Sequence, residues 1–288
     1  MICSQILKKA LILSAFFVLV FWFSPLVYAQ SCDYDFQSTA ETAHVKWVYD
    51  GDTLLLDDER KIRIIGIDTP ETRHYKQAAE AYGAKAREAL RELLQRYDYK
   101  VALYYGKERL DRYGRTLAHV ILPDGTNVSQ WLLQQGFAHT MVIPPNVQLA
   151  DCYQKAQASA KAQRLRIWRL KNHQLQETAT LSARRKGFVN LKGKVIGVKI
   201  TRKSIFLELD SPFKRPIKIR IKKDDLGYFR AFDPDRLWGQ TIEVTGLLKK
   251  RHGRRTIYVS HPSQIQLPVV AKNQGARLAP MIKWSSPQ

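Results

Sequence analysis

Cysteine, methionine and acidic residues are all scarce in this sequence of 288 residues. It contains three Cys and three Met, and its 26 Asp and Glu stand against 47 Lys and Arg. Three Cys are too few for a small domain held together by several disulfides. A single long apolar run excludes a protein that crosses a membrane many times. The acidic deficit gives a formal net charge of +21, which favours polyanions such as nucleic acid or an anionic membrane surface as partners.

The N-terminal segment 1–29 is predicted to be a secretory signal peptide. Two lysines precede an apolar run over 10–23, and a Ser-Pro pair breaks it before a small-residue cleavage motif that ends at Ala29. An uncleaved membrane anchor is the alternative, because the segment 10–29 is long enough to span a bilayer. We favour cleavage, since the apolar run is short. Both interpretations predict an exported protein, periplasmic or secreted, and only the anchor would make a membrane its partner.

Removal of the signal would leave Cys32 and Cys152 as the remaining cysteines. In an oxidising compartment, such an even pair favours a disulfide that joins the mature N-terminus to a later helix. Two unrelated thiols are the alternative interpretation. We favour the disulfide, because exported chains rarely keep exposed free cysteines.

Strand-like segments dominate the rest of the chain and fall into two groups. The first group, which begins near residue 43, has the predicted order β-β-β-α-β-β-α-α. The second supplies five short strands, with a helix over 224–232 between the third and the fourth. Both orders are typical of the OB-fold. The predicted fold class is therefore mainly β with α: a five-stranded barrel with three helices, followed by a second, smaller OB-like β-barrel.

Five segments follow from this division. They are a signal peptide over 1–29, an OB-fold domain over 30–170, a basic linker over 171–186, an OB-like domain over 187–268 and a disordered tail over 269–288.

Three polar clusters lie in the first domain: Asp-Gly-Asp-Thr at 50–53, Arg-x4-Asp-Thr-Pro-Glu at 63–71 and Asp-Arg-Tyr-Gly-Arg at 111–115. Asp52 and Asp68 each end a strand, so we expect both carboxylates at one edge of the barrel. Arg63 lies on the strand that leads to Asp68, and Glu71 follows a proline turn. Each residue alone is explained by a turn or a surface ion pair. Together they provide what phosphodiester cleavage needs, which is a cation site, guanidinium groups for developing charge and a carboxylate for the attacking water.

At these motifs the chain resembles the staphylococcal nuclease (thermonuclease) family. The resemblance runs from about His44 to Trp168 and includes the pairs Tyr-Gly at 82–83 and Ile-Trp at 167–168. It implies a five-stranded OB-type barrel with three helices. It also implies a calcium-dependent endonuclease, a hydrolase that cleaves DNA and RNA and leaves 3′-phosphate and 5′-hydroxyl ends.

The resemblance further implies a calcium site. Asp52 and Asp68 would bind Ca²⁺ through their carboxylates, and Thr69 would bind it through its carbonyl oxygen.

The remaining matched residues would act on the substrate. By the family's pattern, Arg63 and Arg115 would hold the scissile phosphate, and Glu71 would act on the nucleophilic water. Arg112 and Tyr113 match positions that touch a terminal phosphate of a bound nucleotide.

The chain departs from the family's pattern after Ala138. Met-Val-Ile-Pro at 141–144 occupies the stretch where relatives resembling the namesake place two tyrosines that flank the base, so Val142 and Pro144 replace the expected rings. That stacking is lost or supplied elsewhere. The acid, metal and arginine positions are all kept. This favours an enzyme over the alternative, a non-catalytic envelope nucleic-acid-binding protein.

The second domain is predicted to hold DNA or RNA, with single strands favoured. Residues 161–223 contain 19 Lys and Arg against three acidic residues, and Lys218, Arg220 and Lys222 fall on one strand face. Basic strands near aromatic residues suit the backbone-tracking groove of an OB-fold. A solvated basic surface and a site for anionic lipid or cell-wall polymer are the alternatives. No protein partner is implied.

Overall fold

The structure, a computed structural model, describes Cys32 and residues 40–72, 79–229 and 232–266. The predicted signal peptide and tail lie outside the described residues. The chain divides into two compact units, Met1–Asp33 and Tyr34–Gln288, and every helix and strand given below belongs to the second. Cys32 and Cys152 are both disulfide-bonded. Within the described ranges, no helix combines the length and the apolar character that a membrane crossing requires.

Five strands close the first barrel in the order β1-β2-β3-β6-β5. Inward-facing Leu54, Leu56, Ile62 and Ile64 are almost fully buried, as expected for alternating strands around an apolar core. Two short strands, β4 and β7, pair outside the barrel. The strands are β1 Glu41–Asp50, β2 Thr53–Leu56, β3 Lys61–Ile64, β4 Gly66–Asp68, β5 Lys100–Leu110, β6 Thr116–Ile121 and β7 His139–Met141.

Three helices pack around this barrel: α1 Gly83–Gln95, α2 Val128–Gln134 and α3 Ala150–Ala162. The side chain of Asn127 caps α2 by accepting the backbone N–H of Gln130. Helix α3 ends at Ala162 and does not continue through the basic residues that follow, because Arg164 and Arg166 have positive φ values of 51° and 40°. A 3₁₀ turn, Arg166–Arg169, follows.

The second barrel closes because β12 pairs with both β13 and β9. Its strands are β9 Gly187–Ile200, β10 Ser204–Leu209, β11 Ile217–Lys222, β12 Thr241–Arg251 and β13 Arg254–Val259, with β8 Leu175–Glu177 and β14 Ile265–Gln266 at the edges. Its core includes Val189, Leu207, Ile219 and Ile257, all fully buried. The predicted fold class, two OB-like barrels in a mainly β chain, is confirmed.

Two predicted segments have more or different local structure than expected. The helix expected over 224–232 is a 3₁₀ helix, Lys223–Tyr228. The segment 171–186, predicted as a linker, contains β8, which pairs in parallel with β9. His173, Thr178 and Leu181 of this segment are buried, so it packs against the second barrel.

An aromatic cluster of His139, Trp168, His173 and Phe188 joins the two barrels. The rings of His139 in β7 and Phe188 in β9 stack with centroids 3.5 Å apart and an interplanar angle of 9°. Trp168 meets His139 edge-on at 5.8 Å, and His173 stacks on His139 at 4.8 Å. These contacts fix β7 against the first strand of the second barrel.

Candidate active site

The turn between β1 and β2 places Asp52 in a buried position, 5% exposed. Its Oδ2 accepts hydrogen bonds from the backbone N–H of Thr69 at 2.8 Å and from the Thr69 hydroxyl at 3.2 Å. This approach requires glycine at position 51, because a Cβ there would lie 2.7 Å from Cγ2 of Thr69. The turn and the segment that follows β4 are therefore in direct contact.

Arg63 joins the two predicted metal-binding carboxylates. It lies on β3, and its Nη1 is 3.1 Å from Oδ2 of Asp52 while its Nη2 is 3.0 Å from Oδ1 of Asp68. Burial would lower the pKa of Arg63, but the two carboxylates raise it above its usual value. The guanidinium therefore stays charged, and it holds Asp52 and Asp68 on the same side of the barrel.

Asp50 adds a third carboxylate to this cluster. Its Oδ1 accepts the backbone N–H of Asp52 at 3.1 Å. Burial, together with the neighbouring charge of Asp52, raises the pKa of Asp50 to about 7. Burial also raises the pKa of Asp68 to about 7, against the opposing effect of Arg63. Two carboxylates thus contact one guanidinium and a third lies beside them, which makes the cluster attractive to a further cation.

Glu71 is exposed on the loop that follows β4. Its backbone N–H donates to Oε2 of Glu80 at 3.2 Å, and its carbonyl accepts the N–H of Glu80 at 3.0 Å. The loop can approach α1 because residue 83 is glycine, where a Cβ would lie 2.4 Å from the carbonyl oxygen of Glu71. The charge of Glu71 contributes to the raised pKa of Asp68, so its carboxylate acts on the same cluster.

Arg115 reaches the cluster through a hydroxyl. Its Nε and Nη2 both lie 2.8 Å from Oδ2 of Asp111, which fixes the guanidinium plane. Its Nη1 donates to Oγ1 of Thr53 at 3.3 Å, and this hydroxyl donates to Oδ1 of Asp52 at 3.1 Å. The ion pair with Asp111 therefore orients Arg115 toward the site and does not remove it from the site.

Arg112 and Tyr113 lie on the exposed turn beside Arg115. Tyr113 is 68% exposed, and Nη2 of Arg112 donates to its hydroxyl at 2.6 Å. The guanidinium carbon of Arg112 lies 4.7 Å from the centroid of the Tyr113 ring, and that of Arg115 lies 5.7 Å from it. These two residues form a rim next to the cluster that is accessible to a substrate.

The segment where the family's pattern has base-flanking tyrosines presents an aliphatic surface here. Val142 is buried, and Ile143 is 58% exposed. A cis peptide bond between Pro144 and Pro145 follows.

Asp50, Thr53 and Asp111 contact the predicted site residues but were not among them. Asp50 and Thr53 belong to the Asp-Gly-Asp-Thr motif, which was the signal for their position. Asp111 was considered only as a competing ion-pair partner for Arg115. The structure gives all three a positioning role.

The donor set fits a hard cation. Among the described residues, no group of three or more His, Cys, Asp or Glu side chains is arranged to hold a metal. Asp52 and Asp68 do converge on one guanidinium. Their carboxylate oxygens, completed by main-chain carbonyl oxygens and water, are the type of ligand that Ca²⁺ prefers. Mixed ligand sets of this kind do not require three acidic side chains.

Comparisons with known proteins find nucleases among the relatives of this chain. The model of the family described as staphylococcal nuclease homologue matches residues 61–170. A thermonuclease of Staphylococcus intermedius is 37% identical over 132 residues, which cover 44% of this chain and 76% of that protein. A thermonuclease of Staphylococcus hyicus is 36% identical with the same coverage. The SPbeta prophage-derived endonuclease YokF of Bacillus subtilis is 36% identical over 124 residues, 41% of each chain.

An OB-type barrel whose acidic side chains are bridged by arginine indicates an enzyme that cleaves phosphodiester bonds. The chain belongs to the staphylococcal nuclease family. The predicted enzyme class, a nuclease, is confirmed at this level. The second barrel lies beyond the residues that the family model matches.

Proposed function

We propose that this protein is an exported, calcium-dependent endonuclease that hydrolyses phosphodiester bonds in DNA and RNA. One observation carries the proposal: a continuous chain of contacts runs from Arg115 through Thr53, Asp52 and Arg63 to Asp68. It places two guanidinium groups and two carboxylates in one connected network, with Glu71 exposed beside it.

Asp52, Asp68 and the carbonyl oxygen of Thr69 would hold Ca²⁺. When bound, the ion would neutralise charge on the scissile phosphate and favour ionisation of a nearby water. The two carboxylates are positioned by Arg63, and Asp52 is held further by Thr69. The protein's own hydrogen bonds and ion pairs therefore position these carboxylates before an ion binds.

Arg63 and Arg115 would stabilise the phosphate as negative charge develops on its oxygens. Planar guanidinium groups suit this role, because they donate two parallel hydrogen bonds and remain charged. Arg115 is oriented for it by Asp111. Fixed donors of this kind act most strongly in a site with little water.

Glu71 would accept a proton from the attacking water, since it is an exposed residue whose charge acts on the cluster. The water oxygen bonds to phosphorus, the bond between phosphorus and the 5′-oxygen breaks, and that oxygen takes up a proton. The products are a 3′-phosphate and a 5′-hydroxyl. Contacts with the phosphate alone do not distinguish ribose from deoxyribose, which supports action on both DNA and RNA.

Export is supported by the N-terminal sequence and by the disulfide-bonded cysteines, because disulfides persist in oxidising compartments. The location would be the periplasm or the exterior, with the N-terminal segment as an anchor if it is not cleaved. Fractionation of the producing cell tests this part separately. Recovery of the folded chain in the cytoplasm, with the 1–29 segment attached, would contradict it.

The decisive experiment is digestion of plasmid DNA and of RNA by the full chain with added Ca²⁺, with and without a chelator, followed by end-group analysis. We expect cleavage that the chelator abolishes, with 3′-phosphate ends. Glu71→Gln should lower the rate by about 10²- to 10⁴-fold. Glu92→Gln, an exposed change on α1, should leave the rate unchanged.

If the wild-type chain binds nucleic acid but cleaves none with Ca²⁺, the proposal fails and the non-catalytic binding protein is favoured. If cleavage leaves 5′-phosphate ends, the proposed bond breakage is wrong.

A further inference from the structure

A row of alternating cationic and aromatic residues crosses four neighbouring strands of the second barrel. Lys199 of β9 is in register with Phe206 of β10, Phe206 with Arg220 of β11, and Arg220 with Tyr258 of β13. Residues in register on adjacent strands project to the same face of a sheet. Their partly exposed side chains alternate with the buried residues of the barrel core, so the row lies on the outer face.

Arg220 lies between the two rings of this row. Its guanidinium carbon is 5.8 Å from the centroid of Phe206 and 5.6 Å from that of Tyr258. Its Nε donates to the hydroxyl of Ser204 at 3.0 Å, which restricts its rotation. A second cation approaches the outer ring, because Nζ of Lys249 is 5.3 Å from the centroid of Tyr258. Both rings are therefore flanked by positive charge.

The row lines an open groove of about 590 Å³. The groove has five cationic side chains and one carboxylate, that of Glu208. Glu208 is paired with Lys218 at 2.8 Å, which leaves four of the five cations in excess. The cations of the groove are Lys199, Arg215, Lys218, Arg220 and Arg254. A groove with this charge is complementary to a chain of phosphates.

We propose that this groove binds single-stranded nucleic acid, with bases stacked on Phe206 and Tyr258 and phosphates held by the surrounding Lys and Arg side chains. The two rings are two strands apart, a separation of about 9–10 Å. This spacing allows a separate base to reach each ring. Single strands are favoured over duplexes, because a ring can stack only on a base whose face is free.

The groove contains one carboxylate and therefore lacks the acidic cluster of the first barrel. Binding here does not require cleavage, so this proposal and the proposed nuclease activity can fail separately. An anionic membrane would be attracted by the same charges. The rings, however, alternate with cations along one row, and this spacing matches a chain in which bases alternate with phosphates.

The test uses the full chain carrying Glu71→Gln, in chelator, so that the probe is not cut. The probe is a fluorescent thymidine oligonucleotide, and its dissociation constant is measured at several salt concentrations. Phe206→Ala and Tyr258→Ala should each weaken binding by roughly 5- to 150-fold. Lys199→Gln should reduce the slope of log K against log salt by about 0.7, the value for one phosphate contact on a single strand.

Two matched controls test whether these effects belong to the groove. Trp238 is a 68% exposed aromatic residue of the same barrel outside the groove, and Trp238→Ala should not weaken binding. Arg236, whose side chain is 81% exposed, provides the control for Lys199→Gln: Arg236→Gln should leave the slope of log K against log salt unchanged. Thermal unfolding of every variant confirms that the barrel remains folded.

Equal binding by the parent and the double variant Phe206→Ala/Tyr258→Ala would overturn the proposal in favour of a merely solvated basic surface. Tighter binding of the matching duplex than of the single strand would also overturn it. So would binding to phosphatidylglycerol vesicles with no measurable binding to the oligonucleotide.

Discussion

Nη1 of Arg115 donates to the hydroxyl of Thr53 across 3.3 Å, and this contact connects the turn after β5 to the first residue of β2. The same hydroxyl of Thr53 donates to Oδ1 of Asp52 at 3.1 Å. A guanidinium and a carboxylate with different chemical tasks are therefore held by one hydroxyl group. The position of each depends on the same small side chain.

Replacement of Thr53 by Val keeps the shape of the side chain but removes this hydroxyl. Arg115 and Asp52 would each lose one hydrogen bond, and a net hydrogen bond is worth about 1 kcal/mol. We expect the cleavage rate to fall about 5- to 10-fold. Thr53→Ser should restore it, since the hydroxyl returns. Equal rates for the valine variant and the wild-type chain, measured with Ca²⁺ on plasmid DNA, would show that the connection has no catalytic consequence.

Replacement of Arg115 by Lys keeps the positive charge but removes the planar guanidinium group. The two contacts with Asp111 and the contact with Thr53 need nitrogens that lysine cannot place together. We expect kcat to decrease by about 10²- to 10³-fold, as for the loss of one fixed donor to a transition state. Arg91→Lys, on an exposed ion pair of α1, is the matched control and should retain full activity.

Replacement of Gly83 by Ala should affect both stability and catalysis. The new Cβ would lie 2.4 Å from the carbonyl oxygen of Glu71, so the loop must move away from α1. We expect a loss of about 1–3 kcal/mol in the free energy of unfolding, and a lower kcat because Glu71 is displaced. Gly227 has open space at its Cβ position, so Gly227→Ala should be nearly neutral. Urea unfolding and a digestion assay measure the two effects.

His119 should make the protein less stable in acid. It lies within hydrogen-bonding distance of the Tyr153 hydroxyl, and burial lowers its pKa from 6.5 to about 4. Because the unfolded chain takes up the proton first, stability is fully present above pH 6.5 and is lost as the pH falls toward 4. This histidine should contribute a loss of about 2 kcal/mol between pH 7 and pH 5.

His119→Gln removes that proton uptake. The free energy of unfolding of this variant, from urea titrations at both pH values, should decrease by about 2 kcal/mol less than that of the wild-type chain. Parallel decreases in the two proteins would mean that His119 does not titrate with a lowered pKa.

The sequence was sufficient to predict the convergence of Asp52, Arg63 and Asp68. The expected single strand from Arg63 to Asp68 is, however, interrupted between β3 and β4, where Gly66 has a φ of 89°. On an unbroken strand these two residues, five apart, would project to opposite faces, so the interruption is what lets them meet. The function of Thr53 as a bridge was not predictable in this way. It depends on a register in which Thr53 pairs with Arg63, and on the turn that brings Arg115 to the same place.

The sequence was a weaker guide to the secondary structure of short segments, because their conformation depends on the strands they pack or pair with. The segment 224–232 has apolar residues at helical spacing, but the structure forms a 3₁₀ helix that ends at Tyr228. Strand β8 follows a polar stretch and exists because β9 offers an edge for pairing. Edge pairing of this kind is a tertiary effect, which composition does not reveal.

The stacked rings of His139 and Phe188 bear on how the protein unfolds. His139 of β7 is in register with Asp68 of β4, so a side chain from the second barrel stacks on the strand that pairs with the one carrying a proposed calcium ligand. A fragment that ends before Phe188 would expose His139 and lose part of the packing behind Asp68. We therefore expect the two barrels to unfold together, with a single calorimetric transition for the full chain and a less stable nuclease barrel on its own.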